Sequence, residues 1–234
     1  MSSKFSVYTD GSCLNNGKKN SIGAIGIYFS DNDPDNLGQV IDNEGTKITN
    51  QTMELLACVQ ALQIIKDKIS NGLKAKIIFV YTDSTYLINS MTKWYNSWEK
   101  NGWKNTKDKD VENKELIQLL YKLKSEFIVI FKHVRSHQDP PTNKKSDEYQ
   151  FWYGNFMADK LATDACKNFI KEKEQEALLE VINANVEDVS DNAGNDDNTS
   201  NNNLESDILN AVSKAKSKVG KSSTKKKVKN SLNV

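Results

Sequence analysis

Thr9-Asp10-Gly11-Ser12 closes the first apolar run of the chain, and Thr82-Asp83-Ser84 closes a later one. Glu54 lies between them, just ahead of a long amphipathic stretch. An acid at the end of a strand or the start of a helix stands where open α/β sheets gather their chemistry. Three carboxylates brought to one sheet edge repel one another unless cations neutralise them. Hard carboxylate oxygens suit Mg²⁺, with Mn²⁺ the alternative ion, so the pattern points to metal-dependent catalysis.

The elements that must position these acids can be read from periodicity. Residues 5–9 and 22–29 read as strands joined by the Asn15-Asn16-Gly17 turn, with Gly23 and Gly26 permitting close approach within the second. A third strand through Gln39 and Ile41 and on to Ile48 closes a meander. Leu55, Cys58, Val59, Leu62 and Ile65 then form one helical apolar stripe, ended by Asn71-Gly72. The continuous run Ile77-Ile78-Phe79-Val80-Tyr81 suits a central strand covered on both faces. Helices are expected over 87–94 and 114–124, a fifth strand over 127–134, and a last helix capped by Asn155 and running to about Asn183. This order implies an α/β fold, a five-stranded mixed sheet of antiparallel meander plus parallel strands, with helices on both faces.

The net charge of +1 conceals an uneven tail. Residues 187–203 carry five acids and no base, whereas 204–234 carry eight lysines against Glu205 and Asp207. Apolar runs nearly vanish there, so ordering entropy is not offset. We therefore expect a catalytic domain over 1–183 and a mostly disordered low-complexity tail over 184–234, with one short helix around Leu204 to Ala215. Cys13, Cys58 and Cys166 form no Cys-x-x-Cys pair, which suggests reduced thiols in an intracellular protein, cytoplasmic or nuclear. The N-terminus lacks the apolar core of a signal peptide, and no segment approaches membrane-spanning length.

Five motifs in order carry a resemblance to type 1 ribonuclease H: Tyr8-Thr9-Asp10-Gly11-Ser12-Cys13, Thr49-Asn50-Gln51-Thr52-Met53-Glu54-Leu55, Tyr81-Thr82-Asp83-Ser84, Val134-Arg135-Ser136-His137 and Gly154-Asn155-Phe156-Met157-Ala158-Asp159. The match spans roughly residues 4–171. It implies hydrolysis of the RNA strand of RNA–DNA hybrids with two divalent ions, leaving 5′-phosphate and 3′-hydroxyl ends. It makes Asp10, Glu54, Asp83 and Asp159 metal ligands and gives His137 a part in proton transfer and product release, which suits an imidazole. His133, within a strand, reads as a packing residue.

The same resemblance assigns substrate contacts. Asn50 and Gln51 match an amide pair that reads the minor groove, where the 2′-hydroxyl distinguishes RNA from DNA. Cys13 and Asn16 match first-loop contacts to the RNA strand, and Thr49 a DNA-phosphate contact whose usual Asn partner falls on Ser97. Trp94, Trp98 and Trp103, with Lys100, Lys104 and their neighbouring lysines, resemble a basic protrusion that straddles the DNA strand, its aromatic residues packing it and contacting sugars while lysines meet phosphates. The bland reading is a solvated helix pair with its own Trp core. Bland readings stand beside these: Asn16 as a turn residue, Asn50 as a helix N-cap, Asp83 as a cap and Asp159 as an acid near a helix start.

The segment between His137 and Asp159 is longer than in compact members. Its Phe151-Trp152-Tyr153 cluster reads as part of a packed surface loop, with a substrate-contacting flap as the alternative. No N-terminal hybrid-binding module of the kind seen in many eukaryotic relatives precedes the first motif; the Lys-rich tail could tether phosphate in its place, act as a nuclear address or only solubilise. A monomer acting on hybrid is the expected form. A non-catalytic hybrid binder and another nuclease of the same superfold, an integrase or resolvase, remain the alternatives.

Overall fold

A computed structural model describes residues 4–18, 20–41, 47–136 and 138–191, with side chains as far as residue 180. Five strands form one sheet: β1 (Lys4–Leu14), β2 (Ile22–Tyr28), β3 (Leu37–Ile41), β4 (Ile77–Thr82) and β5 (Ile128–His133). Their order is β3-β2-β1-β4-β5. The β1–β2 and β2–β3 pairs are antiparallel, while β1–β4 and β4–β5 are parallel. This is the expected mixed sheet; β3 is described over Leu37–Ile41, its expected continuation through 42–46 lies outside the described residues, and Ile48 belongs to no strand.

Alternation along β1 divides the core. Val7 faces α1 (Asn50–Ser70) and α4 (Lys114–Ser125) in the main cluster with Leu55, Leu62, Ile117 and Leu120. Tyr8 faces the other side, where α5 (Asp147–Asp191) covers the sheet through Ala158. Period-two alternation therefore gives each face its own helical layer.

Small residues govern the α5 layer. Ala158, Ala162 and Cys166 recur every four residues and are all but fully buried. They let α5 settle closely on β2: a Cβ at Gly26 would collide with the carbonyl oxygen of Ala158 and lie 2.9 Å from the Ala162 nitrogen. Gly26 thus allows the close approach its type suggests.

Between β4 and α4 the chain forms α2 (Thr85–Asn89), a π-helical turn (Ser90–Trp94) and α3 (Tyr95–Lys100) rather than one helix. Such a turn inserts an extra residue into the helical ladder and rotates α3 relative to α2. Ser84, whose hydroxyl accepts from the Leu87 N–H at 3.2 Å, caps α2, so Asp83 is not used as a cap.

The last helix begins earlier than expected. Asn155 is no N-cap; it lies inside α5, two turns past the first residue. The start is set instead by Ser146, whose Oγ accepts from the Tyr149 N–H at 3.2 Å, with Asp147 and Glu148 in the first turn. The added turns are not a surface loop. Phe151 stacks on Tyr81, which stacks on Tyr8, with centroids 4.9 and 4.8 Å apart. Tyr153 meets Tyr28 edge-on and donates its hydroxyl to Asp31. Asp159, deep within α5, owes nothing to a helix terminus. At the other end α5 continues to Asp191, beyond the expected Asn183.

Candidate active site

The parallel register pairs Tyr8 with Tyr81. Two residues further on, Asp10, within β1 but past its last partner on β4, and Asp83, just past β4, stand side by side at the carboxyl edge of β4. Strand order turns there from antiparallel meander to parallel crossovers, where open α/β sheets leave a crevice. Glu54 arrives from α1. Thr49 caps that helix, its Oγ1 accepting from the Thr52 N–H at 3.1 Å, so Asn50 is the first helical residue and Glu54 begins the second turn. Gly11 makes the approach possible, since a Cβ there would collide with the Glu54 nitrogen.

Ligand oxygens of Asp10, Glu54 and Asp83 all lie within 4.8 Å of one another. Asp159 stands outside this tight trio but bears on Asp10 from α5. Burial, followed by the charges of Asp83 and Asp159, pushes the Asp10 carboxyl up to about 8. Glu54 is held well above the usual carboxylate range by burial and then by Asp10 and Asp83. Its Oε2 is buried with no hydrogen-bond partner among the described residues. An orphaned buried oxygen, mutual repulsion and an all-oxygen donor set fit a divalent cation.

This has a measurable consequence. With its folded pKa raised to about 8 from 3.8, Asp10 contributes stability that is fully present below about pH 4 and is lost as pH rises toward 8. Chelation is therefore expected to lower the melting temperature clearly at pH 8 and much less at pH 5. At a cation concentration a hundredfold above Kd, linkage supplies about 2.7 kcal/mol, or roughly 5–10 °C. Scanning calorimetry with and without chelator checks this; an equal shift at both pH values would refute it.

The acids open onto a cavity of about 500 Å³. Cys13 and Asn50 line it, and Asn16 accepts the Asn50 N–H at 3.4 Å through Oδ1. Gln51 is exposed beside Asn50 on α1. Thr49 is half-buried with its hydroxyl committed to the cap. His137 lies outside the described residues. His133, expected to pack, is exposed at the end of β5.

The protrusion divides its aromatic residues between two tasks. Trp94 is exposed and stacks obliquely on half-buried Trp98, centroids 5.4 Å apart. Trp103 is 7% exposed and meets Tyr95 edge-on, so it packs the protrusion and offers a substrate no open face. Lys100 is exposed, whereas Lys104 is paired to Asp110 at 2.7 Å.

Several cavity residues were not expected as site residues from the sequence, among them Asn155, Arg135, Trp152 and Phe156. Asn155 is buried with its Oδ1 unpartnered and lies one turn before Asp159 on the same helix face; that i, i+4 spacing was the available signal. Arg135, Trp152 and Phe156 also line the acid cavity. All three cysteines are free. Among the described residues no helix is long and apolar enough to cross a membrane.

A partly buried acid trio at the β1/β4 edge of a 3-2-1-4-5 sheet defines a metal-dependent nuclease of the RNase H-like fold. The family model described as RNase H matches residues 2–167, and the chain belongs to the RNase H family. Ribonuclease H of Clostridium botulinum is 36% identical over 167 residues, covering 71% of this chain and 97% of that protein. Human ribonuclease H1 is 34% identical over 161 residues, covering 69% of this chain and 49% of the human protein. Among solved structures, LC9-RNase H1, described as a type 1 RNase H with the type 2 active-site motif, shares the fold. It has a TM-score of 0.51 at 24% identity, over 72% of this chain and 74% of that one.

Proposed function

We propose that this protein is an endonuclease that hydrolyses the RNA strand of RNA–DNA hybrids, leaving 5′-phosphate and 3′-hydroxyl ends. The observation that carries the reading is the acid trio, within 4.8 Å and opening onto the cavity that Asn50 and Cys13 also line. Asp10, Glu54, Asp83 and Asp159 would hold two Mg²⁺ ions, with Mn²⁺ an acceptable substitute for the same oxygen donors. When bound, such a pair activates water and stabilises a leaving oxygen.

The chain's own residues do the rest. Asn50 and Gln51 meet the hybrid's minor groove, Cys13 and Asn16 flank the RNA strand, and Thr49 stands at a phosphate of the DNA strand. Trp94, Trp98 and Lys100 face that strand across the protrusion, supported from below by Trp103 and Lys104. Lysines at such a surface bind phosphates without reading sequence. His137 carries protons at the leaving group, a role suited to a group that titrates near neutrality. The protein acts as a monomer inside the cell, in cytoplasm or nucleus, which agrees with its three free cysteines.

The test is cleavage of labelled RNA–DNA hybrid, duplex RNA and duplex DNA with Mg²⁺. Cutting confined to the RNA of the hybrid is the expected result; equal cutting of duplex DNA would favour another nuclease of the superfold, and no cutting a binder.

We place the catalytic domain at 1–183 and the low-complexity tail at 184–234. Residues 192–234, with the expected short helix and all eight tail lysines, lie outside the described set. Truncation after Asn183 is expected to preserve kcat and to raise KM a few-fold at low salt only, because the tail's lysines act through screened phosphate contacts. Steady-state kinetics at two salt concentrations measures this; a truncated protein that neither folds nor cuts would move the boundary.

A further inference from the structure

A second cavity, of about 460 Å³, adjoins the acid pocket, and Trp152, Arg135 and Gln138 line both. We propose that Trp152, Phe156 and Arg135 form a nucleotide subsite for the strand being cut, beside the scissile phosphate. The aromatic pair takes the flat face of a base and Arg135 takes the neighbouring phosphate. The proposal rests on the hybrid-cleavage reading above.

The aromatic pair is a built surface. Trp152 and Phe156 are one turn apart on α5, their rings 5.3 Å between centroids and 10° from parallel. The Trp152 Nε1–H donates to the Gln138 carbonyl at 2.9 Å, and Tyr149 backs the indole at 5.5 Å. Adjacent Phe151 and Tyr153 are committed to the sheet, but Phe156 is 44% exposed and borders the carboxylates. A large apolar ring facing a charged cleft adds little to the core. To a nucleic acid strand it offers a π face on which any base can stack.

Arg135 is the chain's single arginine among 32 basic residues. It is exposed, and among the described residues it forms no ion pair although the acid trio borders the same pocket. A guanidinium is weakly hydrated and presents a planar fork that grips a phosphate through two N–H donors, which an ammonium cannot do. Lys132, which also lines the second cavity, adds positive charge along the path a departing strand would take. Trp152 and Arg135 are shared between the cavities and Phe156 stands on the acid side, so a strand with its phosphate over the acids has its next nucleotide directed between the aromatic pair and the arginine.

The experiment uses the full chain and hybrids in which one abasic ribonucleotide is moved stepwise along the RNA. For the wild type, one abasic position next to the cut is expected to raise KM about tenfold, the loss of one stacked base. Phe156→Leu should raise KM on the intact hybrid by a similar factor and show no further penalty at that position. Arg135→Gln should weaken binding and reduce the slope of log affinity against log salt by about one; Arg135→Lys should restore the slope without the affinity. Trp152→Leu should behave as Phe156→Leu; if it melts early, the exposed Phe156 carries the comparison. Equal abasic penalties in wild type and Phe156→Leu, or an unaltered salt slope in Arg135→Gln, would overturn the subsite alone. A wild type that cuts no intact hybrid would overturn the functional reading and the subsite with it.

Discussion

Asp10→Asn is expected to lower kcat by about a thousandfold or more while the metal-free protein melts higher than wild type. The two effects have one cause. Asp10 is 6% exposed and shares its site with Glu54, Asp83 and Asp159, so its negative charge is costly to the fold and useful only when a cation answers it. Removing that charge relieves the metal-free site, a gain of at least about 1 kcal/mol or roughly 3 °C at pH 8. It also removes a central oxygen donor, and losing several kcal/mol of transition-state charge stabilisation corresponds to about three powers of ten in rate. Activity on hybrid, thermal melts with and without chelator, and calorimetric Mg²⁺ titration separate these effects. A variant that lost activity by unfolding would melt lower, not higher; one that turned over normally would remove Asp10 from the chemistry.

How far the sequence foretells this site depends on how local each determinant is. Asp10 and Asp83 are legible because each ends an apolar run, and a parallel pairing of equal register must set them together. Glu54 is legible through the stripe from Leu55 to Ile65, which fixes the helix start within a turn. Asn155 misleads because Gly154-Asn155 has the composition of a helix boundary. The true cap, Ser146 with Asp147 and Glu148 after it, is equally plain as a local signal. What decides between them is tertiary: Phe151 on Tyr81 and Tyr153 on Tyr28 stabilise the two extra turns. No helical period encodes those contacts, because their partners lie on other elements, β4 and β2.

For Trp103 the sequence leaves packing and substrate contact side by side, because composition does not separate the two among neighbouring lysines. The backbone turns at Gly102 and Trp103, both with positive φ, and returns so that the Val111 N–H donates to the Trp103 carbonyl at 2.9 Å. That loop folds the indole against Tyr95. A charged loop can therefore carry one buried anchor, and the anchor is identified by a contact more distant than the charges around it.

The second large effect concerns the position of α5 rather than any acid. Gly26→Ala is expected to cost about 3 kcal/mol, the upper part of the range for overpacking a close-packed contact. In a chain of this size that is roughly 6–12 °C of melting temperature. The added methyl group would meet the Ala158 carbonyl oxygen and the Ala162 nitrogen. These are backbone atoms held by the helix itself, so no rotamer change relieves the clash and α5 must lift from β2. Asp159 is the residue directly after Ala158, and Asn155 lies one turn before it; both would move outward from Asp10. Kinetics measured well below the lowered melting temperature should therefore show a loss of at least about tenfold in kcat together with weaker Mg²⁺ binding, because misplacing a catalytic group by about 1 Å is enough for such a loss. A destabilised variant with full activity and unchanged Mg²⁺ affinity would mean that the lifted helix tilts about its Asp159 end. The metal site would then depend on β1, β4 and α1 alone.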